Sequence, residues 1–125
     1  TCSLVTKALA LPMNLTSAPL PRGENEYIHA GLGMAPSRFV KPPRVAGTPA
    51  ALECKLLSIQ QLKDIDGNDV PRWMVLGQVV ATYVGEAFVK DGRFDTAKAN
   101  PIARCGYSDY AEVTELFSIT RPAGG

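Results

Sequence analysis

The longest apolar and β-branched run in the chain is Arg72 to Val89, Arg-Trp-Met-Val-Leu-Gly-Gln-Val-Val-Ala-Thr-Tyr-Val-Gly-Glu-Ala-Phe-Val, and the rest must be arranged around it. Val75, Leu76, Val79, Val80, Val84 and Val89 suit a pleated surface, and apolar residues at adjacent positions predict a strand covered on both faces. A helix would carry Gly77 and Gly85 at a cost of about 1 kcal/mol each relative to Ala. In a strand the same glycines mark a bulge, a bend or the close approach of another backbone or a ligand. The run is too short and too interrupted to span a bilayer, which takes about 20 consecutive apolar residues.

A second strand predicts itself at Ala50 to Gln61, where Ala51, Leu52, Cys54, Leu56, Leu57 and Ile59 are interspersed with Glu53, Lys55 and Ser58. Asp64-Ile-Asp-Gly-Asn-Asp supplies turn residues between the two, so the expectation is a long antiparallel hairpin. Cys2 to Thr6 reads as a strand, Lys7 to Leu15 as a short helix broken or started at Pro12, and Glu24 to Gly33 as a helix of one or two turns. Pro36, Pro42, Pro43 and Pro49 forbid a helix between them and leave an extended arm with an edge-like segment at Arg38 to Val40. Lys90-Asp-Gly-Arg is a turn, Thr96 to Ala103 a weak helix interrupted by Pro101, and Val113 to Ile119 a terminal strand. The fold class that follows is mainly β, a barrel or sandwich with small peripheral helices, in one domain over residues 1–125.

The chain opens at Thr1 on strand-like residues, with no initiator Met and no charged-then-apolar leader, which reads as a domain entered in the middle. A net charge of +1 gives no field that would gather nucleic acid or an anionic membrane, so neither is expected as a partner. Cys2, Cys54 and Cys105 are odd in number and widely separated, which argues against a zinc site and a disulfide framework and for reduced thiols in a cytoplasmic protein, two of them buried in strands.

Catalytic signals are sparse. His29 is the only histidine, which excludes a multi-histidine metal site, and its place on a surface helix suits a solvated side chain. No phosphate-binding Gly-rich motif and no Gly-x-Ser-x-Gly occurs. Two groupings remain. Asn14, Thr16 and Ser17 put an amide and two hydroxyls in a loop after a short helix, either neutral donors for a phosphate or heterocycle edge or ordinary turn residues. Arg104, Tyr107 and Tyr110 lie with Gly106 within seven positions, either a clamp for a planar or anionic ligand or a surface pairing of Arg104 with Asp109.

In order along the chain, Asn14-Leu-Thr-Ser-Ala-Pro-Leu-Pro, Glu26-Tyr, Ala30-Gly-Leu, Pro36-Ser-Arg-Phe-Val-Lys-Pro-Pro-Arg-Val, Ala51-Leu-Glu-Cys, Val75-Leu-Gly-Gln-Val-Val, Asp91-Gly-Arg-Phe-Asp and Ala103-Arg-Cys-Gly-Tyr-Ser-Asp-Tyr resemble the flavin reductase-like proteins of the FMN-binding split-barrel family. The likeness runs over nearly the whole chain and is nearest to the branch of flavoredoxin and the reductase components of two-component monooxygenases. It implies a homodimer of split β-barrels with FMN near the dimer interface, reduced by NADH or NADPH, and a monooxygenase component or other electron acceptor as partner. It also implies upstream strands that carry much of the flavin contact, so the chain is expected to be a partial barrel. Asn14, Thr16 and Ser17 are then flavin contacts, and Arg104, Tyr107 and Tyr110 clamp or interface residues. Where many such reductases place a histidine in the central strand, this chain has Arg72 and Tyr83. The rival reading is a non-catalytic flavin-binding or dimerisation module on the same scaffold.

Overall fold

The computed structural model describes residues 1–124. Its dominant element is an antiparallel hairpin of β4 (Ala50–Lys63) and β5 (Asp69–Val84). The turn between them is made by Asp64, whose Oδ1 accepts the backbone N–H groups of Asp66 at 3.0 Å and Asn68 at 2.8 Å, while Gly67 takes a φ of +85°. That is the self-capping turn the Asp-Gly-Asn sequence favours. Register shifts at Glu53/Cys54, Leu56/Ser58 and Gln61/Lys63 bend the hairpin. At Gly77 the expected close approach is found: a Cβ there would lie 3.2 Å from the Cys54 Cβ, so the strands approach closely beside a bulge.

A short β1 (Cys2–Ser3) pairs with Ala51 and Leu52, giving the sheet order β1-β4-β5. The chain then makes a single 3₁₀ turn at Lys7–Leu9 and enters α1 (Ala10–Leu15), with Pro12 in the first helical turn, where no backbone donor is required of it. The short helix α2 (Glu26–His29) is capped by Asn25, whose side chain accepts from the Tyr27 N–H at 2.9 Å. A small ribbon of β2 (Met34–Ala35) and β3 (Arg44–Val45) brackets the proline-rich arm. The expected edge-like strand at Arg38 to Val40 does not form. Glu53 draws the Arg38 and Phe39 N–H groups inward, which bends the arm where a strand would run straight.

The second half carries two further ribbons. β6 (Val89–Lys90) pairs with β7 (Arg93–Phe94), and β8 (Ile102–Gly106) with β9 (Asp109–Glu112). Between them α3 (Thr96–Ala99) is started by Asp95, which accepts the Lys98 N–H, and stopped by Asn100 in the left-handed conformation ahead of Pro101. The helix expected to reach Ala103 therefore ends four residues early. The last strand falls at Asp109–Glu112, not at Val113 to Ile119, because the Gly106-Tyr107 turn folds the chain back onto β8.

Burial departs most from expectation. Every residue from Pro71 to Val80 is exposed, and among the described residues no Leu, Ile, Val, Met, Phe or Trp is buried. The buried set is Ala30, Thr48, Pro49, Ala51, Glu53, Ala99 and Pro101. The reason is topological: among the described residues β1 covers only two positions of β4, β5 is paired on one side only, and no second sheet pairs with the hairpin. The three cysteines lie in strands as free thiols, but Cys2 and Cys105 are exposed and Cys54 is half-buried. The arrangement is mainly β with small helices, and its long sheet presents surface that a second layer must cover.

Candidate functional site

Asn14 lies in the last turn of α1 with an exposed side chain, and Thr16 and Ser17 follow the helix. The Thr16 hydroxyl donates to the Met13 carbonyl and the Ser17 hydroxyl to the Asn14 carbonyl, each at 2.7 Å, so both satisfy the end of the helix. Their oxygens keep lone pairs for a further donor. Thr16 also lines a cavity of about 200 Å³ whose other walls include Leu4, Val5, Leu9, Met13 and Leu32. An apolar slot with a hydroxyl at its rim suits the edge of a flat heterocycle. Its volume is below the roughly 300–1,000 Å³ of pockets that enclose a ligand of drug size, so it has room for only part of such a ring.

Arg104 lies on β8 opposite Tyr110 on β9, and its guanidinium donates to the Tyr110 hydroxyl at 2.9 Å and sits 5.0 Å from that ring's centroid. It also donates to the Tyr107 carbonyl. The side chains of Arg104 and Tyr110 are thus brought together by cross-strand register, and the alternative pairing of Arg104 with Asp109 is not made. Tyr107 takes a φ of 46°, an uncommon setting for a residue with a Cβ, and the residue is 95% exposed. No hydrogen bond joins the side chains of Asn14, Thr16 and Ser17 to those of Arg104, Tyr107 and Tyr110. The N-terminal segment and β8 do meet, through the Ile102 N–H to Val5 carbonyl bond and the Thr6–Pro101 bridge. The Lys7–Glu112 ion pair adds to this junction. Lys7, and after it Asn100, hold the Glu112 carboxyl below its ordinary range.

A third grouping escaped the sequence reading because its members are spread over 46 positions of the chain. Arg38, Phe39, Arg44, Glu53 and Tyr83 line a cavity of about 290 Å³ between the proline-rich arm and the far end of the hairpin. Glu53 is 4% exposed; its Oε1 accepts the Arg38 N–H at 2.8 Å and its Oε2 the Phe39 N–H at 2.6 Å. These backbone donors, Arg38 first, hold its carboxyl below the ordinary 4.5 against the opposing effect of burial, with help from the Arg44 charge. The Arg44 guanidinium carbon lies 3.6 Å from the Tyr83 ring centroid. The available signal was Glu53 itself, a carboxylate on an apolar strand opposite an arginine-bearing arm.

Among the described residues no group of three or more His, Cys, Asp or Glu could hold a metal, and no helix is long and apolar enough to cross a membrane.

The chain is similar to an uncharacterised protein of Halalkalibacterium halodurans, 33% identical over 110 residues, or 88% of this chain and 52% of that one. It is also similar to one of Deinococcus radiodurans, 34% identical over 126 residues, or 97% and 52%. It thus spans about half the length of the curated relatives it matches. No family model matches it. Among solved structures, nitrilotriacetate monooxygenase component B of Bacillus cereus superposes with a TM-score of 0.81 at 26% identity, over 94% of this chain and 57% of that one. For 2-nitrobenzoate 2-nitroreductase of Pseudomonas fluorescens the values are 0.78 and 28%, over 98% and 58%. Flavoredoxin of Desulfovibrio vulgaris shares the fold at 0.76 and 23%, over 98% and 63%.

Proposed function

The chain is a flavin reductase-like split-barrel protein, and from that premise we propose that it forms part of an FMN-dependent oxidoreductase that takes hydride from NADH or NADPH. The observation that carries this reading is the superposition of 94% of the chain on a monooxygenase component B at a TM-score of 0.81. The electrons pass to a monooxygenase component or another acceptor, and the working unit is a cytoplasmic homodimer. The exposed faces of the β4–β5 hairpin support a dimer, because they present large apolar side chains that a second copy or a further layer of strands would cover.

FMN, when bound, supplies the hydride-accepting ring, so the protein needs no acid–base triad, in keeping with the scarcity of catalytic side chains. What the chain's own residues do is bind and orient. The apolar slot beside Thr16 takes one edge of the ring, with Asn14, Thr16 and Ser17 as its polar rim. Arg104, fixed by Tyr110, clamps a planar or anionic group, and Tyr107 stands ready at the interface. The cavity beside Thr16 holds only part of such a ring, so the remaining contacts come from the second copy or from a further part of the protein.

The test is an anaerobic titration of the full-length protein with FMN followed by NADH. Flavin bands that form and then bleach support the reductase. Bands that form and persist support the rival non-catalytic binding module, and no uptake of FMN removes both.

A further inference from the structure

We infer that the cavity between Arg38, Arg44 and Tyr83 is a phosphate site, which takes the phosphate ester of a nucleotide ligand. Its lining residues include two arginines and one glutamate. Among the described residues neither Arg38 nor Arg44 has a carboxylate within ion-pair distance, and neither guanidinium has a hydrogen-bond acceptor. The one carboxylate in the wall, Glu53, spends both oxygens on backbone N–H groups. The cavity therefore keeps a net positive charge and a set of unused donors.

Aromatic contacts orient the two cations, that of Arg44 being the closer. Arg44 packs on the Tyr83 ring at 3.6 Å and Arg38 lies 5.4 Å from the Phe39 centroid. Contact with a ring consumes none of a guanidinium's five N–H donors, so these remain for an acceptor with two or three oxygens, the match that makes arginine suited to phosphate. Glu53 fixes the backbone at Arg38 and Phe39, and the β2–β3 ribbon fixes Arg44. Little ordering of these elements is left for the ligand to impose. Tyr83 adds an aromatic wall beside which a ring attached to the phosphate can lie.

That the ligand is a nucleotide rests on the flavin reductase reading; the affinity for phosphate does not. The experiment compares the wild-type full-length protein with Arg38→Gln, Arg44→Gln and, as a control, Arg121→Gln in the C-terminal tail. Inorganic pyrophosphate is titrated by calorimetry, FMN and riboflavin by fluorescence, and 2′,5′-ADP and 5′-AMP by competition. The expected result is that each cavity variant weakens at least one phosphate-bearing ligand about tenfold, as for the loss of one charged hydrogen bond. Riboflavin is unaffected and raised salt weakens the wild type. A loss confined to FMN identifies the flavin's phosphate, and a loss confined to the adenine nucleotides identifies the hydride donor's. If both variants keep their native melting temperature and bind pyrophosphate and every phosphate ligand as the wild type does, the site is overturned. Wild-type protein that binds pyrophosphate at the cavity but no flavin retains the phosphate site and removes the flavin reductase reading.

Discussion

Arg44 of the proline-rich arm seats its guanidinium 3.6 Å from the ring centroid of Tyr83, thirty-nine positions away at the end of β5. This contact pins the arm to the hairpin from one side of the cavity while Glu53 pins it from the other. A double-mutant cycle of Arg44→Met and Tyr83→Leu in urea denaturation is expected to give a coupling of about 0.5–1 kcal/mol, the range for a half-exposed cation–π pair. Additive effects would show that the contact does not contribute to stability.

Glu53 sets an acid limit. Its carboxyl is held below 4.5 in the folded chain, so the native state binds fewer protons there than the unfolded state. The stabilisation is complete above that ordinary value and is lost as pH falls below it through the folded one. Glu53→Gln is expected to lower the melting temperature at neutral pH and to flatten its decline between about pH 6 and pH 3. Asp64 and Glu112, also held low, supply the slope that remains. An unchanged profile would show that the arm does not depend on this carboxylate.

Gly77 reports the tightness of the hairpin. A Cβ at this position meets the Cys54 Cβ at 3.2 Å and the Lys55 carbonyl at 3.5 Å. Gly77→Val is expected to destabilise the fold by about 1–3 kcal/mol through overpacking, read as a lower urea midpoint. A midpoint equal to the wild type's would mean that the strands part without strain.

Association should depend on one face of the hairpin. Ile59 and Val75 are directly paired, and Trp73 lies two positions along the same face; all three are more than half exposed. The double variant Ile59→Lys with Val75→Lys is expected to shift sedimentation equilibrium from dimer to monomer, since two charges in a buried apolar interface would lack partners. A dimer that persists would place the interface elsewhere.

Arg104 distinguishes a clamp from a decorative surface pair. Arg104→Ala is expected to weaken FMN binding about tenfold, whereas Arg121→Ala in the tail leaves it unchanged. Equal affinities by fluorescence quenching would take the Arg104–Tyr110 pair out of the site.

Local chemistry made much of this fold legible. The Asp64 turn, Pro12 in a first helical turn and the alternation from Ala50 onward each rest on neighbouring residues. The Arg104–Tyr110 pair was also legible, since six positions and a glycine suffice to bring the two together across a tight turn. Long-range relations were not. Glu53 meets the arm across 15 positions and Arg44 meets Tyr83 across 39, and no periodicity encodes either. The burial expected of Arg72 to Val89 failed for another reason: an apolar pattern states that a strand seeks cover on both faces, not that this chain provides it.

From Trp73 to Val84 the outer strand of the sheet carries no charged residue. Its free rim is a row of amide and carbonyl groups, and the strand carries no charge of its own over these positions to repel a like strand, a condition that favours edge-to-edge addition. When this segment is separated from whatever covers it, self-addition through β5 is therefore the expected failure. Storage life and yield, more than melting temperature, become the practical measure of its integrity.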